Sequence, residues 1–291
     1  MKELVVISGK GGTGKTSIVA AFASLASNKV LSDADVDAAD LHLIMNPQTT
    51  ERHDFQAGRS AIIHLDKCTA CGLCRTLCRY NAITEDYTVK RMDCEGCGVC
   101  VHFCPEKAVE FPVKTCGEWY RSKTRFGPMV HASLGLAEEN SGKLVTLVRQ
   151  EARKVAEAER LDLILTDGPP GIGCPVIASL GGASATLIVT EPTVAGRHDL
   201  ERVAQLADFF RVPVAVCVNK ADLNPESTRD IQQYAEQKGY AFLGAIPFDP
   251  VFTKAMVAGR TVIEYDSRTE AATALRQIWS RVGTRMGLQE A

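Results

Sequence analysis

The sequence predicts an α/β chain in which a doubly wound, mostly parallel sheet is interrupted by a small cysteine-dense insert. Three observations predict it. Short apolar runs alternate with stretches long enough for a helix, as expected of strands buried on both faces and joined by crossover helices. The first run passes through a glycine-rich turn straight into a helical pattern, the order strand, loop, helix that opens many such folds. Eight of the eleven cysteines crowd between Cys68 and Cys104, where the alternating rhythm is lost.

Residues 4–7 form the first apolar run, and residues 17–25 behind it carry apolar positions at helical spacing. Val30 and Leu31 begin a second strand that runs into an acidic turn, residues 33–37. Runs at 161–165, 186–189, 214–218 and 242–246 predict four more buried strands, and helices are expected over 143–159, 197–210, 227–238, 251–258 and 267–286. Residues 61–111 break the pattern. They are bounded by two similar phrases, Ala61-Ile62-Ile63 and Ala108-Val109-Glu110-Phe111, and the spacing of Cys68 to Cys78 recurs from Cys94 to Cys104, so a two-fold pseudosymmetric insert is expected. The larger domain should then comprise residues 1–60 and 112–291.

A hydrophobic content of 45% over 291 residues is enough for a full core. Lysines and arginines number 33 against 35 acidic residues, so no basic excess points to a nucleic-acid partner. No run reaches the roughly 18 apolar residues of a membrane span, and the chain enters a strand at once instead of a basic segment followed by an apolar one. A cytoplasmic location is expected, with metal ligation the first account of the cysteines in such a reducing compartment.

Gly9-Lys10-Gly11-Gly12-Thr13-Gly14-Lys15-Thr16 satisfies G-x-x-x-x-G-K-[ST] between a strand and a helix, the context a phosphate loop requires. Backbone N–H groups from Gly11 to Ser17 are expected to converge on phosphate oxygens, Lys15 to place charge at the β and γ positions, and the Thr16 hydroxyl to ligate Mg2+. Asp35 and Asp167 lie at the C-terminal ends of expected strands, where ligands of open parallel sheets collect. Phosphoryl transfer needs charge neutralisation, a metal ion and an oriented water, and these residue types supply them. Asn219-Lys220-Ala221-Asp222 also ends a strand and has the N-K-x-D form of a guanine-recognition motif.

Together these motifs resemble the MinD/ParA/Mrp branch of P-loop ATPases, which includes the nitrogenase iron protein. The resemblance rests on the deviant Walker A form K-G-G-T-G-K-T with its additional lysine, Lys10. It implies an ATP-sandwich homodimer that forms with nucleotide and in which Lys10 reaches the partner's nucleotide. It further implies that Asp35 orients the attacking water and that Asp167 is the Walker B aspartate, acting on Mg2+ through water. Asn219 and Lys220 would face adenine instead of guanine, and Pro247 in Ile246-Pro247-Phe248-Asp249-Pro250 resembles the family's second base-contacting loop.

Cys68, Cys71, Cys74 and Cys78 follow C-x2-C-x2-C-x3-C, and Cys94, Cys97, Cys100 and Cys104 repeat it with Pro105 following. This resembles a bacterial two-cluster ferredoxin, in which three close thiolates hold one cluster and the fourth crosses to the other. One 4Fe-4S cluster would take Cys68, Cys71, Cys74 and Cys104, and the second Cys94, Cys97, Cys100 and Cys78. Zinc also uses C-x2-C pairs, but two tandem runs with glycines inside favour clusters. Arg79 stands where the first run would usually carry proline, and Gly72, Gly96 and Gly98 let backbone amides approach the sulfurs.

Cys174 lies seven residues after Asp167, the offset of a cluster ligand in the nitrogenase iron protein. The counterpart of that protein's other ligand falls near residues 140–142, where no cysteine stands, and the C-x-x-C of Mrp-type carriers is absent. Cys116 would have to substitute, so Cys174 is expected to be buried and unreactive. Cys217 is expected to pack inside a strand. Ala271, Leu275, Ile278, Trp279, Val282 and Met286 form an apolar helical stripe, expected to cover the sheet and not a membrane. The six histidines show no paired spacing and are given no ligand role.

The function expected is ATP hydrolysis and nucleotide-dependent dimerisation coupled to electron transfer through two 4Fe-4S clusters to a redox partner. The alternatives are an Mrp-type assembly factor that delivers clusters to an apo iron-sulfur client, and a MinD/ParA-like positioning ATPase with structural clusters.

Overall fold

In the computed structural model, which describes residues 1–135, 138 and 141–288, the strands in chain order are β1 (Lys2–Ser8), β2 (Lys29–Asp33), β3 (Gln48–Arg59), β4 (Ile62–Ile63), β5 (Val109–Glu110), β6 (Val113–Thr124), β7 (Gly127–Leu134), β8 (Leu163–Pro170), β9 (Ala185–Thr190), β10 (Val214–Asn219) and β11 (Ala241–Ile246). The chain divides into a larger unit, Met1–Arg52 with Trp119–Ser133 and Ser141–Ala291, and a smaller one, His53–Glu118 with Leu134–Asn140.

The sheet of the larger unit has the order β11-β10-β9-β1-β8-β2-β7-β6-β3. Pairing is parallel between β1 and both β8 and β9, along β9, β10 and β11, and between β2 and both β8 and β7. Successive side chains point to opposite faces. Leu4 and Val6 therefore join Ile18, Phe22, Leu275 and Ile278 in one core layer, while Val5 and Ile7 pack with Val176, Leu200, Val203 and Ile231 in the other. Helices Lys15–Leu25 and Glu270–Met286 cover the first face, and Cys174–Leu180, Val194–Phe209 and Pro225–Gln237 the second. This double burial is why the strands read as unbroken apolar runs, each full-sized apolar side chain contributing about 1.5–3 kcal/mol on burial.

The C-terminal stripe lies in the first layer. Leu275, Ile278, Val282 and Met286 are buried there, and the Trp279 ring sits 5.1 Å from Phe22. Its apolar area is thus spent on the sheet. No helix among the described residues is long and apolar enough to cross a membrane.

Three strands of this sheet were not anticipated, β3, β6 and β7, nor was the short pair β4 and β5. β3 is mostly exposed and β6 is half-buried and carries Lys114, Glu118, Arg121 and Lys123 along its length, so neither carries the apolar run that marks a buried strand. β3 leaves the larger unit at Arg52 and β6 re-enters it at Trp119, which makes the smaller unit wider than residues 61–111.

In the smaller unit β4 and β5 pair antiparallel, Ile62 opposite Glu110 and Ile63 opposite Val109. The sequence repeat is also a backbone repeat. Helix Leu73–Leu77 follows Gly72 at φ 79°, and helix Val99–His102 follows Gly98 at φ 74°. Ala82 N–H donates to Cys78 Sγ at 3.4 Å, and Ala108 N–H to Cys104 Sγ at 3.3 Å. Gly96 must be glycine: at φ 62° a Cβ there would lie 2.4 Å from the Arg59 carbonyl oxygen.

Candidate functional site

The phosphate loop leaves the C-terminal end of β1 and enters helix Lys15–Leu25 through Gly14, at φ 86°. A Cβ on Gly14 would lie 2.4 Å from Asn219 Nδ2, so glycine is required both for the turn and for this close approach. The first intrahelical bond runs from Ile18 N–H to the Gly14 carbonyl, 3.1 Å. The N–H groups of Lys15, Thr16 and Ser17 therefore belong to the open first turn, where a helix favours anions.

Three side chains meet here, from the first turn of this helix, the turn after β2 and β8 itself. Lys15 Nζ lies 3.1 Å from Asp35 Oδ2, just after β2, and 2.8 Å from Asp167 Oδ1 in β8, all of them buried. Burial works to strip Lys15 of its proton, but the charges and hydrogen bonds of Asp167 and Asp35 outweigh it and push the pKa up to about 12. Burial raises the Asp35 carboxyl above the usual range even with Lys15 opposing it. Asp33 is raised well above that range, by burial and then by the charge of Asp167. Its Oδ2 accepts from Leu41 N–H and its Oδ1 from Asp35 N–H, so Asp33 braces the turn after β2. Asp37 is exposed.

Asp167 Oδ2 and Thr13 Oγ1 are buried with no partner among the described residues. Buried polar atoms are rarely left so, and an unpaired carboxylate oxygen on β8 together with an unpaired hydroxyl in the phosphate loop suits hydrated Mg2+ and phosphate.

At the end of β10, Asn219 Nδ2 donates to the Thr13 carbonyl at 2.8 Å and its Oδ1 accepts from Lys220 N–H at 3.0 Å. Its amide is thus committed to holding the phosphate loop. Asp222 Oδ1 accepts from Phe248 N–H at 2.5 Å, tying the 219–222 segment to the loop that contains Pro247. Glu191, one residue past β9, was missed by sequence reasoning. Its carboxylate takes Lys10 Nζ at 2.7 Å and also Lys220 Nζ. The available signal was its place directly behind the strand expected at 186–189, on the ligand edge of the sheet.

In the smaller unit the eight clustered cysteines line two cavities. Cys68, Cys71, Cys74 and Cys104 share one with Ile63, Tyr87 and Val109, while Cys78, Cys94, Cys97 and Cys100 share the other with Ile83, Val89 and Phe111. Each cavity takes three cysteines from one run and its fourth from the other. Among the described residues no three His, Cys, Asp or Glu side chains form a group that could hold a single metal ion. Four thiols around an apolar cavity fit a polynuclear iron-sulfur cluster. Burial raises the Cys74 thiol, and burial followed by the charges of Cys94 and Cys97 pushes Cys100 up to about 11, so ligation there must displace protons.

The other cysteines stand apart. Cys116 is buried and donates its thiol to the Ala57 carbonyl, 2.7 Å. Cys217 sits in the core, its pKa pushed up to about 12 by burial. Cys174, expected to be buried, is exposed. It opens the short helix Cys174–Leu180 behind a surface turn, and a Cβ on Gly142 would lie 3.4 Å from its own Cβ. Asn140, where a second ligand was sought, lies outside the described residues.

Comparisons place this geometry. An uncharacterized protein of Methanocaldococcus jannaschii is 29% identical over 285 residues, covering 96% of each chain. A cytosolic Fe-S cluster assembly factor of Danio rerio is 26% identical over 151 residues, 47% of this chain and 56% of that protein. The septum site-determining protein MinD of Pyrococcus horikoshii, complexed with Mg-ADP, has the same fold, with a TM-score of 0.59 at 16% identity over 99% of this chain and 98% of that one. Residues 4–262 match the CobQ/CobB/MinD/ParA nucleotide binding domain, and the chain belongs to that family.

Proposed function

We propose that this chain hydrolyses ATP and that nucleotide-dependent pairing of two copies controls electron transfer through two 4Fe-4S clusters to a redox partner. One observation carries this function: a chain with a family phosphate loop also gathers eight cysteines into two cavities, each completed by a cysteine of the other run.

The N–H groups from Gly11 to Ser17 cradle the phosphates, and Lys15 supplies charge at the β and γ positions. Lys15 now pairs with Asp35 and Asp167, so phosphates compete for the same ammonium and release both carboxylates. Asp35 then orients the water whose oxygen bonds to the γ-phosphorus as the bond to the β-phosphate oxygen breaks. Thr16 and, through water, Asp167 are the magnesium ligands, and Lys10 reaches the partner copy's nucleotide. Asn219, Lys220 and Pro247 shape the base pocket. When bound, Mg2+ neutralises phosphate charge and each cluster supplies a one-electron centre. Apolar side chains such as Ile63 and Val109, or Ile83 and Val89, line the cavities beside the cysteines and would lower the polarity around the sulfurs.

Asp35→Ala is expected to lower ATP hydrolysis by about a hundredfold or more while retaining ATP and accumulating as a dimer on sizing. Parental turnover would put Asp35 outside the site, and GTP in the same assay tests the base assignment. The residues linking β2 to β8 include the whole insert, so its anchors follow one switch and precede the other. With Asp35→Ala holding ATP, the cluster potentials should differ between ADP and ATP by about 40–130 mV, for a coupling of about 1–3 kcal/mol. Identical potentials and identical chelator access to iron would leave the clusters structural, as in a positioning ATPase.

A second reading, cluster delivery to an apo client, is favoured by the likeness to an Fe-S cluster assembly factor. ATP-dependent reduction of a partner supports the first reading, and transfer of labelled iron to an apo-protein the second.

A further inference from the structure

We propose that Glu191 is a positioning residue that holds Lys10 on its own chain until two copies pair, so that pairing on ATP must break the Lys10 to Glu191 contact. The inference rests on reading Lys10 as the residue that crosses to the partner's nucleotide.

The sheet order β10-β9-β1 sets three strand ends side by side: Lys220 just past β10, Glu191 just past β9 and Lys10 just past β1. Side chains far apart in sequence thus share one carboxylate. Glu191 Oε2 lies 2.7 Å from Lys10 Nζ, Oε1 takes Lys220 Nζ, and Lys220 Nζ also approaches the Gly12 carbonyl at 3.4 Å.

The anchor is stiff and the tether is not. The Glu191 carbonyl accepts from Thr193 N–H at 2.8 Å and would lie only 2.3 Å from a Cβ at Gly196, whose N–H is capped by Thr193 Oγ1 at 2.9 Å. The Glu191 side chain is 12% exposed, against 40% for Lys10. Glu191 therefore cannot follow Lys10 outward, whereas Lys10 can swing away and leave Glu191 paired with Lys220. Burial works to raise the Glu191 carboxyl, but its hydrogen bonds to Lys10 and Lys220 win and hold it below the usual range, so it is ionised at neutral pH. A carboxylate of the same chain then competes with a phosphate of the partner copy for one ammonium.

Glu191→Gln keeps the volume and a carbonyl for Lys220 but removes the charge that restrains Lys10. In the Asp35→Ala background with ATP, it is expected to tighten pairing about threefold to tenfold in sedimentation equilibrium, the scale of two partly exposed ion pairs. The gain should shrink as salt is raised. Lys10→Ala should abolish pairing, and adding Glu191→Gln to it should restore nothing. Lys220→Ala, which leaves the Lys10 contact in place, should not tighten pairing. Unchanged pairing in Glu191→Gln, with Lys10→Ala still unpaired, overturns the proposal and leaves the functional reading intact. ATP-dependent pairing that survives Lys10→Ala overturns the role of Lys10 itself. If Glu191→Gln instead weakens ADP binding by the single chain, equally with and without Lys10, the residue only shapes the base loop and the proposal falls.

Discussion

Lys15→Ala is expected to cost about 3–5 kcal/mol of unfolding free energy as well as all ATP hydrolysis, because it removes one partner of a buried ionic cluster and leaves the others uncompensated. Asp35 and Asp167 lose their contacts of 3.1 and 2.8 Å to the ammonium, and fully buried Asp33 loses a nearby opposing charge. The sign of the pH dependence follows. A lysine whose folded pKa is raised to about 12 contributes stability fully present below its unfolded value near 10.4 and lost as pH rises through about 12, so at pH 7 the parent has all of it. The carboxyls of Asp33 and Asp35 are already raised in the folded chain. Each therefore destabilises above its unfolded value near 3.9, and more so without the lysine. Acid relieves this cost by protonating them. Urea unfolding of parent and variant should thus differ most near pH 7 and converge as pH falls toward about 4. A penalty independent of pH would mean that lost packing, and not stranded carboxylates, causes it.

The second large effect concerns iron. The anaerobically purified chain should carry about eight iron and eight acid-labile sulfide, and single cysteine variants should lose about half in a crossed pattern. Cys78→Ser, although in the first run, should remove the cluster of Cys94, Cys97 and Cys100, because those four thiols share a cavity. Cys104→Ser should remove the cluster of Cys68, Cys71 and Cys74. In paramagnetic resonance of the reduced protein, Cys78→Ser should therefore leave the same residual signal as Cys97→Ser, and Cys104→Ser the same as Cys71→Ser. Nucleotide binding should survive in all four, since no phosphate-loop residue lines either cavity. Pairing by run instead of by cavity would refute the crossed ligand sets, and stoichiometric zinc with no iron after anaerobic reconstitution would refute the clusters.

Much of this chain was legible in its sequence. Six of the seven parallel strands announce themselves because burial on both faces makes them unbroken apolar runs, and the phosphate loop because its glycines answer to local backbone geometry, as the 2.4 Å approach of Asn219 to Gly14 illustrates. The cysteine repeat is local in the same way, and its two halves share backbone turns and Sγ hydrogen bonds. What only the tertiary structure decided depends on which strand ends become neighbours. β3 is mostly exposed and β6 half-buried and polar, so neither carries an apolar run. The exposure of Cys174 follows from a surface turn, and the commitment of the Asn219 amide to Thr13 from the close packing of β10's end on the loop. Glu191 gains meaning only when β9 lies between β1 and β10, bringing Lys10 and Lys220 to one carboxylate. Backbone geometry and burial leave local traces in sequence, whereas ion pairs between residues nearly two hundred positions apart leave none.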